Sequence, residues 1–247
     1  MGWEEVDEGW GRLARDFAYL MEPSWWPEFE QVLRDTGVGE GTRYLDVCCG
    51  SGLAAQMAGR RGAVVHGLDA SQRLIAIAAA RSPDGDIRHG DMNDLPWDAG
   101  SFDVVTSFRG IWGANDQAVV EAARVLKPGG SLLMADSVAP EDDEITGWMN
   151  DIELRRDFSH VENRKISKIT ELLTERGFTV VENDYPRIYL RFNEWTARTK
   201  VSTEETEALR KEFLEAPAAT REAFQVAPVH DDIAFSWPCW VFRAVKG

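Results

Sequence analysis

The most constraining feature of this sequence is residues 43–52, RYLDVCCGSG, where a short apolar run meets a turn of small residues. The run predicts a buried strand over 44–47, and the residues after the turn predict a helix over 53–60. A glycine-rich turn before a helix N-terminus leaves backbone N–H groups free, and the glycines let a ligand approach them. The sequence therefore predicts a nucleotide-type binding site near its start.

The strand–helix pattern then repeats. Further strands and helices are predicted over 63–68, 72–81, 87–89, 102–107, 115–126 and 131–135. Short apolar strands alternating with helices are typical of a parallel sheet covered on both faces, and such sheets bind ligands at the carboxyl ends of their strands. Polar residues stand at those ends: Asp46, Asp69, Asp91, Ser107 and Asp136. We expect these side chains on one rim of the sheet.

The second half of the chain departs from this alternation. Its predicted elements are helices around 146–158, 165–176 and 193–224, a strand over 178–189, and a closing strand over 239–245. Pro186 indicates an edge or a bend in the first of these strands. The expected fold is α/β, a Rossmann-like, doubly wound and mostly parallel sheet of seven strands with an antiparallel edge hairpin.

Four regions are expected along the chain. Residues 1–40 predict an N-terminal helical cap of two amphipathic helices, the second ending at Gly37. The other regions are a cofactor-binding core over 41–139, a cap insertion over 140–164, and a C-terminal part with a helical insertion over 165–247.

Composition excludes several classes of function. The net charge of −15 opposes nucleic acids and anionic membranes, whose phosphates would be repelled. No apolar run resembles a signal peptide or approaches the roughly 20 residues that span a bilayer. Three cysteines do not make a disulfide framework, which predicts a reducing cytoplasm. Most of the ten tryptophans flank the predicted core, where they either dock the flanks onto the sheet or cover an apolar pocket.

The turn also fits the dinucleotide pattern G-x-G-x-x-A over residues 50–55. Asp46 argues against a dinucleotide, because a carboxylate directly before the turn repels a pyrophosphate but suits an ammonium group. The helix N-terminus still favours a single carboxylate. Asp69 is placed for two ribose hydroxyls, and Asp91 with Met92 is placed for an adenine. An amino acid joined to adenosine, S-adenosylmethionine, meets these demands.

Four ordered segments between residues 44 and 136 resemble the motifs of class I S-adenosylmethionine-dependent methyltransferases. They are LDVCCGSG, VVHGLDAS, HGDMNDLPWDAGSFDVVTS and ARVLKPGGSLLMAD. The small-molecule group that includes ubiquinone- and menaquinone-biosynthesis-type and natural-product enzymes looks most similar. One residue departs from the family pattern: Cys48 stands where the first glycine of the first motif is usual, and a small side chain fits there if its φ is negative.

The resemblance implies S-adenosylmethionine as the cofactor and assigns its contacts. The implied contacts are Asp46, Cys49, Gly50 and Gly52 at the methionine part, Asp69 at the ribose, Ala70, Asp91 and Met92 at the adenine, and Ser107 and Phe108 near the sulfonium. An aromatic residue of the N-terminal helix, Phe17 or Tyr19, is expected to close over the cofactor. No metal site is expected, because the cysteines at 48, 49 and 239 do not converge on one place.

Methyl transfer needs mainly alignment and exclusion of water, with a general base where the acceptor carries a proton. His160 and His230, in the cap segments, are the candidate bases; the alternative is that they are exposed loop residues. His66 and His89 are expected to be structural. Arg109 either binds an acidic substrate or pairs with a surface acid, and Trp112 is a candidate pocket residue.

The leading hypothesis is a cytoplasmic enzyme that methylates an O, N or C atom of a small, largely apolar or aromatic metabolite. One alternative is a cyclisation or rearrangement on the same fold without methyl transfer. Others are a nicotinamide dehydrogenase, for which no Tyr/Lys hydride-relay pair is found, and a non-catalytic partner subunit. A small molecule is the expected partner, rather than nucleic acid or a membrane. The oligomeric state stays open, with a homodimer as one option, and no motif identifies the acceptor.

Overall fold

The computed structural model describes residues 11–16, 18–19, 29–30, 33–34, 36–110, 116–157, 160–199 and 201–247. The strands within them are β1 Arg43–Val47, β2 Val64–Asp69, β3 Asp86–His89, β4 Phe102–Phe108, β5 Leu126–Ser137, β6 Phe178–Asp184, β7 Arg187–Arg191, β8 Ala227–Val229 and β9 Asp232–Lys246. The longer helices are α1 Leu53–Arg60, α2 Gln72–Arg81, α3 Asp116–Val125, α4 Asp143–Arg156, α5 Ile166–Glu175, α6 Phe192–Ala197, α7 Thr203–Glu215 and α8 Ala218–Ala223.

The central sheet follows the order β3-β2-β1-β4-β5-β9-β6. The first five of these strands are parallel, and β9 pairs antiparallel with both β5 and β6. The chain reverses direction across the sheet beside β1, so the carboxyl ends of β1 and β4 are neighbours at the switch point. The predicted Rossmann-like sheet with an antiparallel edge is confirmed. Beyond the seven strands of this path, β7 and β8 pair with the first part of β9.

Two strand predictions needed correction. The strand predicted over 178–189 is divided into β6 and β7, with Pro186 between them; its carbonyl accepts a hydrogen bond from the Cys239 N–H at 2.9 Å. The closing strand predicted from residue 239 begins at Asp232. Pro238 lies inside it, and its carbonyl accepts from the Val138 N–H at 2.9 Å, so a proline that marks an end in the sequence is accommodated by the sheet.

Apolar side chains of the described residues form three cores. One core lies on the sheet face covered by α3 and α5, and a second lies on the face covered by α1. The third is separate and joins both predicted cap segments, with Met149 of α4 packed among Phe213 of α7 and Phe235 and Trp237 of β9. Trp195 and Trp237 are buried in this third core, which favours docking over pocket-covering as the role of these tryptophans.

The N-terminal region is described in part. Gly11–Leu13 forms a 3-10 turn and Ala14–Asp16 a helical turn. Phe29 and Leu33 are buried in the core over α1, as the predicted second helix requires, and Gly37 has the left-handed φ of 69° expected at its end. No helix among the described residues is both long and apolar enough to cross a membrane.

Candidate active site

The turn over residues 48–52 is built from left-handed backbone. Cys48, Gly50 and Gly52 have φ values of 58°, 54° and 80°. The Gly52 N–H closes the turn on the Cys49 carbonyl at 2.8 Å. A Cβ on Gly52 would lie 2.8 Å from the Cβ of Ala78 in α2, so only glycine fits between the turn and that helix. No side chain among the described residues caps α1, which leaves the N–H groups of its first turn for a ligand.

Asp69, at the end of β2, holds this turn from the neighbouring strand. Its Oδ2 accepts from the Gly50 N–H and its Oδ1 from the Ser71 N–H, both at 2.9 Å. Burial raises the pKa of the Asp69 carboxyl, and these two N–H donors oppose that rise. Ser71 is the cap of α2, since its hydroxyl accepts from the Leu74 N–H at 3.3 Å. Because Ser71 caps α2, helix capping does not explain why an acidic residue stands at position 69.

Asp46 ends a buried chain of hydroxyl groups that the sequence prediction missed. Asp46 is 2% exposed, and the Thr106 hydroxyl donates to its Oδ1 at 2.9 Å. The Tyr44 hydroxyl lies 2.6 Å from the Thr106 oxygen and completes the chain as its donor. Burial raises the pKa of Tyr44, so the phenol keeps its proton. Thr106 could have been found from strand register alone, because it pairs directly with Asp46.

The predicted rim of carboxylates is present around Cys48. Burial, together with Asp69, Asp46, Asp136 and Asp91, raises the pKa of the Cys48 thiol. Four carboxylates within electrostatic reach of one side chain make this end of the sheet strongly negative. The thiol stays protonated at neutral pH, which makes it a poor nucleophile.

The predicted negative φ at Cys48 is wrong, because the structure gives this residue a positive φ. A non-glycine residue in this conformation costs about 1–2 kcal/mol. The side chain fits because residue 110 is glycine: a Cβ there would lie 2.4 Å from the Cβ of Cys48. The Cys48 thiol in turn lies 3.3 Å from the Met92 sulfur, which places Cys48 between the ends of β3 and β4.

Ser107 and Phe108 point to opposite faces of the sheet. Ser107 is 1% exposed, and among the described residues its hydroxyl has no hydrogen-bond partner. A buried polar group of this kind calls for a ligand or water. The Phe108 ring instead packs on Phe29, with ring centroids 4.4 Å apart, so only Ser107 faces the side of Cys48 and Gly110.

The predicted adenine contacts lie at the ends of β2 and β3. Asp91 accepts from the backbone and side-chain N–H groups of Asn93 at 2.9 Å, both on Oδ1. The Asn93 side-chain oxygen is buried and has no partner among the described residues, which makes Asn93 a candidate that the sequence did not single out. His89 lies 2.9 Å from the Ala70 carbonyl through Nε2, as expected for a structural histidine. Cys49 packs its sulfur against Gly67 of β2.

The two candidate bases occupy different places. His160 Nε2 lies 3.3 Å from Asn150 Oδ1, and Asn163 beside it accepts from the Ser137 hydroxyl at 2.7 Å, at the end of β5. His230 is exposed in the β8–β9 turn with a φ of 56°. The strand from there to Cys239, which pairs with Ser137, extends roughly 20 Å. The structure therefore brings His160, and not His230, to the end of β5.

Of the remaining candidates, Arg109 and Tyr19 lie within the described residues. Arg109 follows β4 in a left-handed conformation, with its N–H donating to the Ala135 carbonyl at 2.8 Å. Tyr19 is 59% exposed, and the Arg81 guanidinium carbon lies 5.6 Å from its ring centre. Phe17 and Trp112 lie outside the described residues.

Buried histidines predict an acid-sensitive stability. Burial lowers the pKa of both His66 and His160 below the ordinary value of 6.5, so the unfolded chain takes up protons at a higher pH than the folded chain. The contribution of these histidines to the free energy of unfolding is therefore complete above pH 6.5. It is lost as the pH falls toward the folded-state pKa, by at most about 1.4 kcal/mol per pH unit for each histidine. Urea unfolding between pH 7.5 and 5.5 should show a shallower loss in His160→Gln than in wild type; equal slopes would contradict the shift at His160.

Residues 45–134 match the methyltransferase domain family. A demethylmenaquinone methyltransferase from Listeria welshimeri is 31% identical over 156 residues, covering 59% of this chain and 63% of that enzyme. A solved Bacillus halodurans protein assigned as a methyltransferase superposes with a TM-score of 0.82 at 26% identity, over 89% of this chain and 99% of that one. Residues 45–134 of this chain form a methyltransferase domain.

The methyltransferase domain begins within β1, contains β2 to β4 and ends within β5, so the carboxylates at 46, 69 and 91 lie inside it and Asp136 lies just beyond. The chain spans somewhat less than two thirds of the curated relative's length. Geranyl diphosphate C-methyltransferase from Streptomyces coelicolor, solved with S-adenosyl-L-homocysteine, shares the fold with a TM-score of 0.57 at 16% identity, over 88% of this chain and 75% of that one. The predicted resemblance and cofactor class are confirmed; the residue assignments stay predictions.

Proposed function

We propose that this protein binds S-adenosylmethionine across the carboxyl ends of β1 to β4 and transfers its methyl group to a small, largely apolar or aromatic molecule. The observation that carries the proposal is the convergence of Asp46, Asp69 and Asp91 around Cys48, beside the uncapped N-terminus of α1. This arrangement offers anions to a cationic ligand and N–H groups to its carboxylate.

The described residues fit each part of that cofactor. Asp46 would hold the ammonium, and the turn with Cys49, Gly50 and Gly52 would surround the methionine chain. Asp69 would accept from the ribose hydroxyls. Among the described residues, both hydrogen bonds to the Asp91 side chain are on Oδ1, so Oδ2 can accept from the adenine amino group while Met92 and Ala70 flank the ring. Ser107 would supply its hydroxyl, which has no partner among the described residues, near the sulfonium.

When bound, S-adenosylmethionine supplies an activated methyl group on a cationic sulfur. The protein's part is then to bind, align and exclude water. The carboxylates around Cys48 favour the sulfonium over the uncharged sulfur left after transfer, because the product carries one positive charge less. This difference helps the product to leave.

We assign the acceptor to the side of β4 and β5, beneath the cap. The cap has an apolar core of its own, which suits an apolar or aromatic acceptor. His160 is the preferred base for an acceptor that carries a proton. Its lowered pKa leaves it neutral at physiological pH, as proton removal requires. Arg109 would favour an acidic group on the acceptor.

Location, assembly and domain limits belong to the same proposal. Cys48, Cys49 and Cys239 are reduced rather than disulfide-bonded, which fits a reducing cytoplasm. The cap core, which draws on both predicted insertions, supports reading 140–164 and the insertion within 165–247 as one cap. Nucleic acid and membranes are not expected as partners, and a homodimer stays one option.

Calorimetry with S-adenosylmethionine and S-adenosylhomocysteine tests the cofactor directly; a folded protein that binds neither would refute the proposal. A thermal-shift screen of small quinols and phenols with S-adenosylhomocysteine present would then find the acceptor. Incubation with methyl-labelled cofactor distinguishes methyl transfer, which puts label in the product, from a cyclisation or rearrangement, which does not.

A further inference from the structure

Arg81, the last residue of α2, joins the glycine turn to the N-terminal segment. Its Nη1 donates to the Ser51 carbonyl at 3.2 Å and also to the Ser51 hydroxyl. Its Nη2 donates to the Ala18 carbonyl at 2.7 Å, and its guanidinium carbon lies 5.6 Å from the ring centre of Tyr19. One side chain therefore contacts two regions that are far apart in sequence.

The contact with Ser51 acts on the shape of the cofactor turn. Ser51 is 0% exposed and stands between Gly50 and Gly52, whose left-handed conformations form the turn. The peptide between Ser51 and Gly52 is held at both ends: its carbonyl accepts from Arg81, and its N–H donates to the Cys49 carbonyl. A peptide plane fixed in this way determines where the first N–H groups of α1 point.

The contact with Ala18 and Tyr19 acts on the N-terminal segment. A charged donor on a carbonyl oxygen is stronger than a neutral hydrogen bond, and a guanidinium over an aromatic ring adds a cation–π contact. Because the planar guanidinium has donors in a fixed fork, moving one arm moves the other. A change in the turn is thus transmitted to Ala18, and a change at Ala18 to the turn.

We propose that Arg81 is a positioning residue that couples cofactor binding to the packing of the N-terminal segment around Ala18 and Tyr19. The inference rests on the proposed function, since it assumes that the turn binds S-adenosylmethionine. Coupling is reciprocal: the cofactor stabilises the packed segment, and the packed segment raises cofactor affinity.

Hydrogen exchange of the full chain, measured by mass spectrometry with and without S-adenosylhomocysteine, tests the coupling. In wild type the ligand is expected to slow exchange in the peptide that carries Ala18 and Tyr19. Arg81→Gln is expected to lose that protection and to bind the ligand at least about fivefold more weakly, the lower end of coupling between sites. Arg176→Gln, the same change at an exposed arginine just after α5, serves as the control and should behave as wild type.

The outcomes distinguish failure of the proposed function from failure of the coupling through Arg81. Wild type that fails to bind S-adenosylhomocysteine refutes the proposed function, and this inference with it. Wild type that binds, with protection retained in Arg81→Gln, refutes the coupling alone, even if affinity falls. Should Arg81→Gln not fold, Arg81→Lys replaces it: its ammonium keeps the charge but lacks the rigid fork that places separate donors on Ser51 and Ala18, so the same loss of protection is expected.

Discussion

Asp69→Asn is expected to weaken S-adenosylhomocysteine binding by about 100-fold. The carboxylate would accept from two ribose hydroxyls, and each hydrogen bond to a charged group contributes about 1.5–3 kcal/mol. We expect a total loss of about 3 kcal/mol of binding free energy, which corresponds to about 100-fold in affinity. The asparagine also presents an NH2 group to one of the two backbone donors, Gly50 N–H or Ser71 N–H, which now bond the carboxylate at 2.9 Å. Calorimetry on the purified variant measures the loss.

Removing the charge costs the folded state little, because burial already disfavours it, as the raised pKa of Asp69 shows, whereas the NH2 group facing a backbone donor costs about 1–3 kcal/mol of stability. Thermal unfolding without ligand measures that cost, and calorimetry on the folded variant measures the lost ribose contacts separately. Asp84→Asn removes the same charge from an exposed loop residue and controls for net charge. An Asp69→Asn protein with wild-type affinity would show that this carboxylate does not contact the cofactor.

Gly110→Ala is expected to destabilise the protein by about 3 kcal/mol, the upper range for overpacking. The new methyl carbon would lie 2.4 Å from the Cβ of Cys48, a separation that forces the turn or the end of β4 to move. Removing the opposing atom should restore the fit. The double variant Cys48→Gly/Gly110→Ala is therefore expected to recover most of the lost stability, since glycine also relieves the left-handed conformation at position 48.

Chemical denaturation of the two single variants and the double variant forms a mutant cycle that measures this coupling. Gly147→Ala is the matched control, because a Cβ there meets nothing within 4 Å. It should be neutral or stabilising, as alanine is in a helix. Additive single effects, or a stable Gly110→Ala protein, would contradict the packing of Cys48 against Gly110.

The parts of the site that could be predicted from the sequence are those whose residues lie close together along the chain. An apolar run followed by Asp46 and a glycine turn predicts a strand, a rim position and a helix start, because each depends on neighbours along the chain. The parallel order of strands then brings Asp69 and Asp91 to the same rim. These features follow from local pattern and from the general architecture of parallel sheets.

The parts that were missed depend on contacts across the sequence. Thr106 reaches Asp46 because the two residues are paired in neighbouring strands. Gly110, just after β4, leaves room for the Cys48 side chain, and Arg81 donates to the Ala18 carbonyl across 63 positions of sequence. Each contact joins residues whose pairing is set by tertiary packing rather than by local preference. The early start of β9 was missed for the same reason, since partners in β7 and β8 sustain it past Pro238.

The length of β9 has a mechanical consequence. This single strand pairs with β7 and β8 in the cap through its first half and with β5 and β6 through its second half. Rotating the cap away from the core would have to bend the strand and break ladder hydrogen bonds on both sides of the bend. The strand therefore resists such a rotation, and we expect movement that admits an acceptor to occur in the connecting loops rather than at a hinge between two rigid halves.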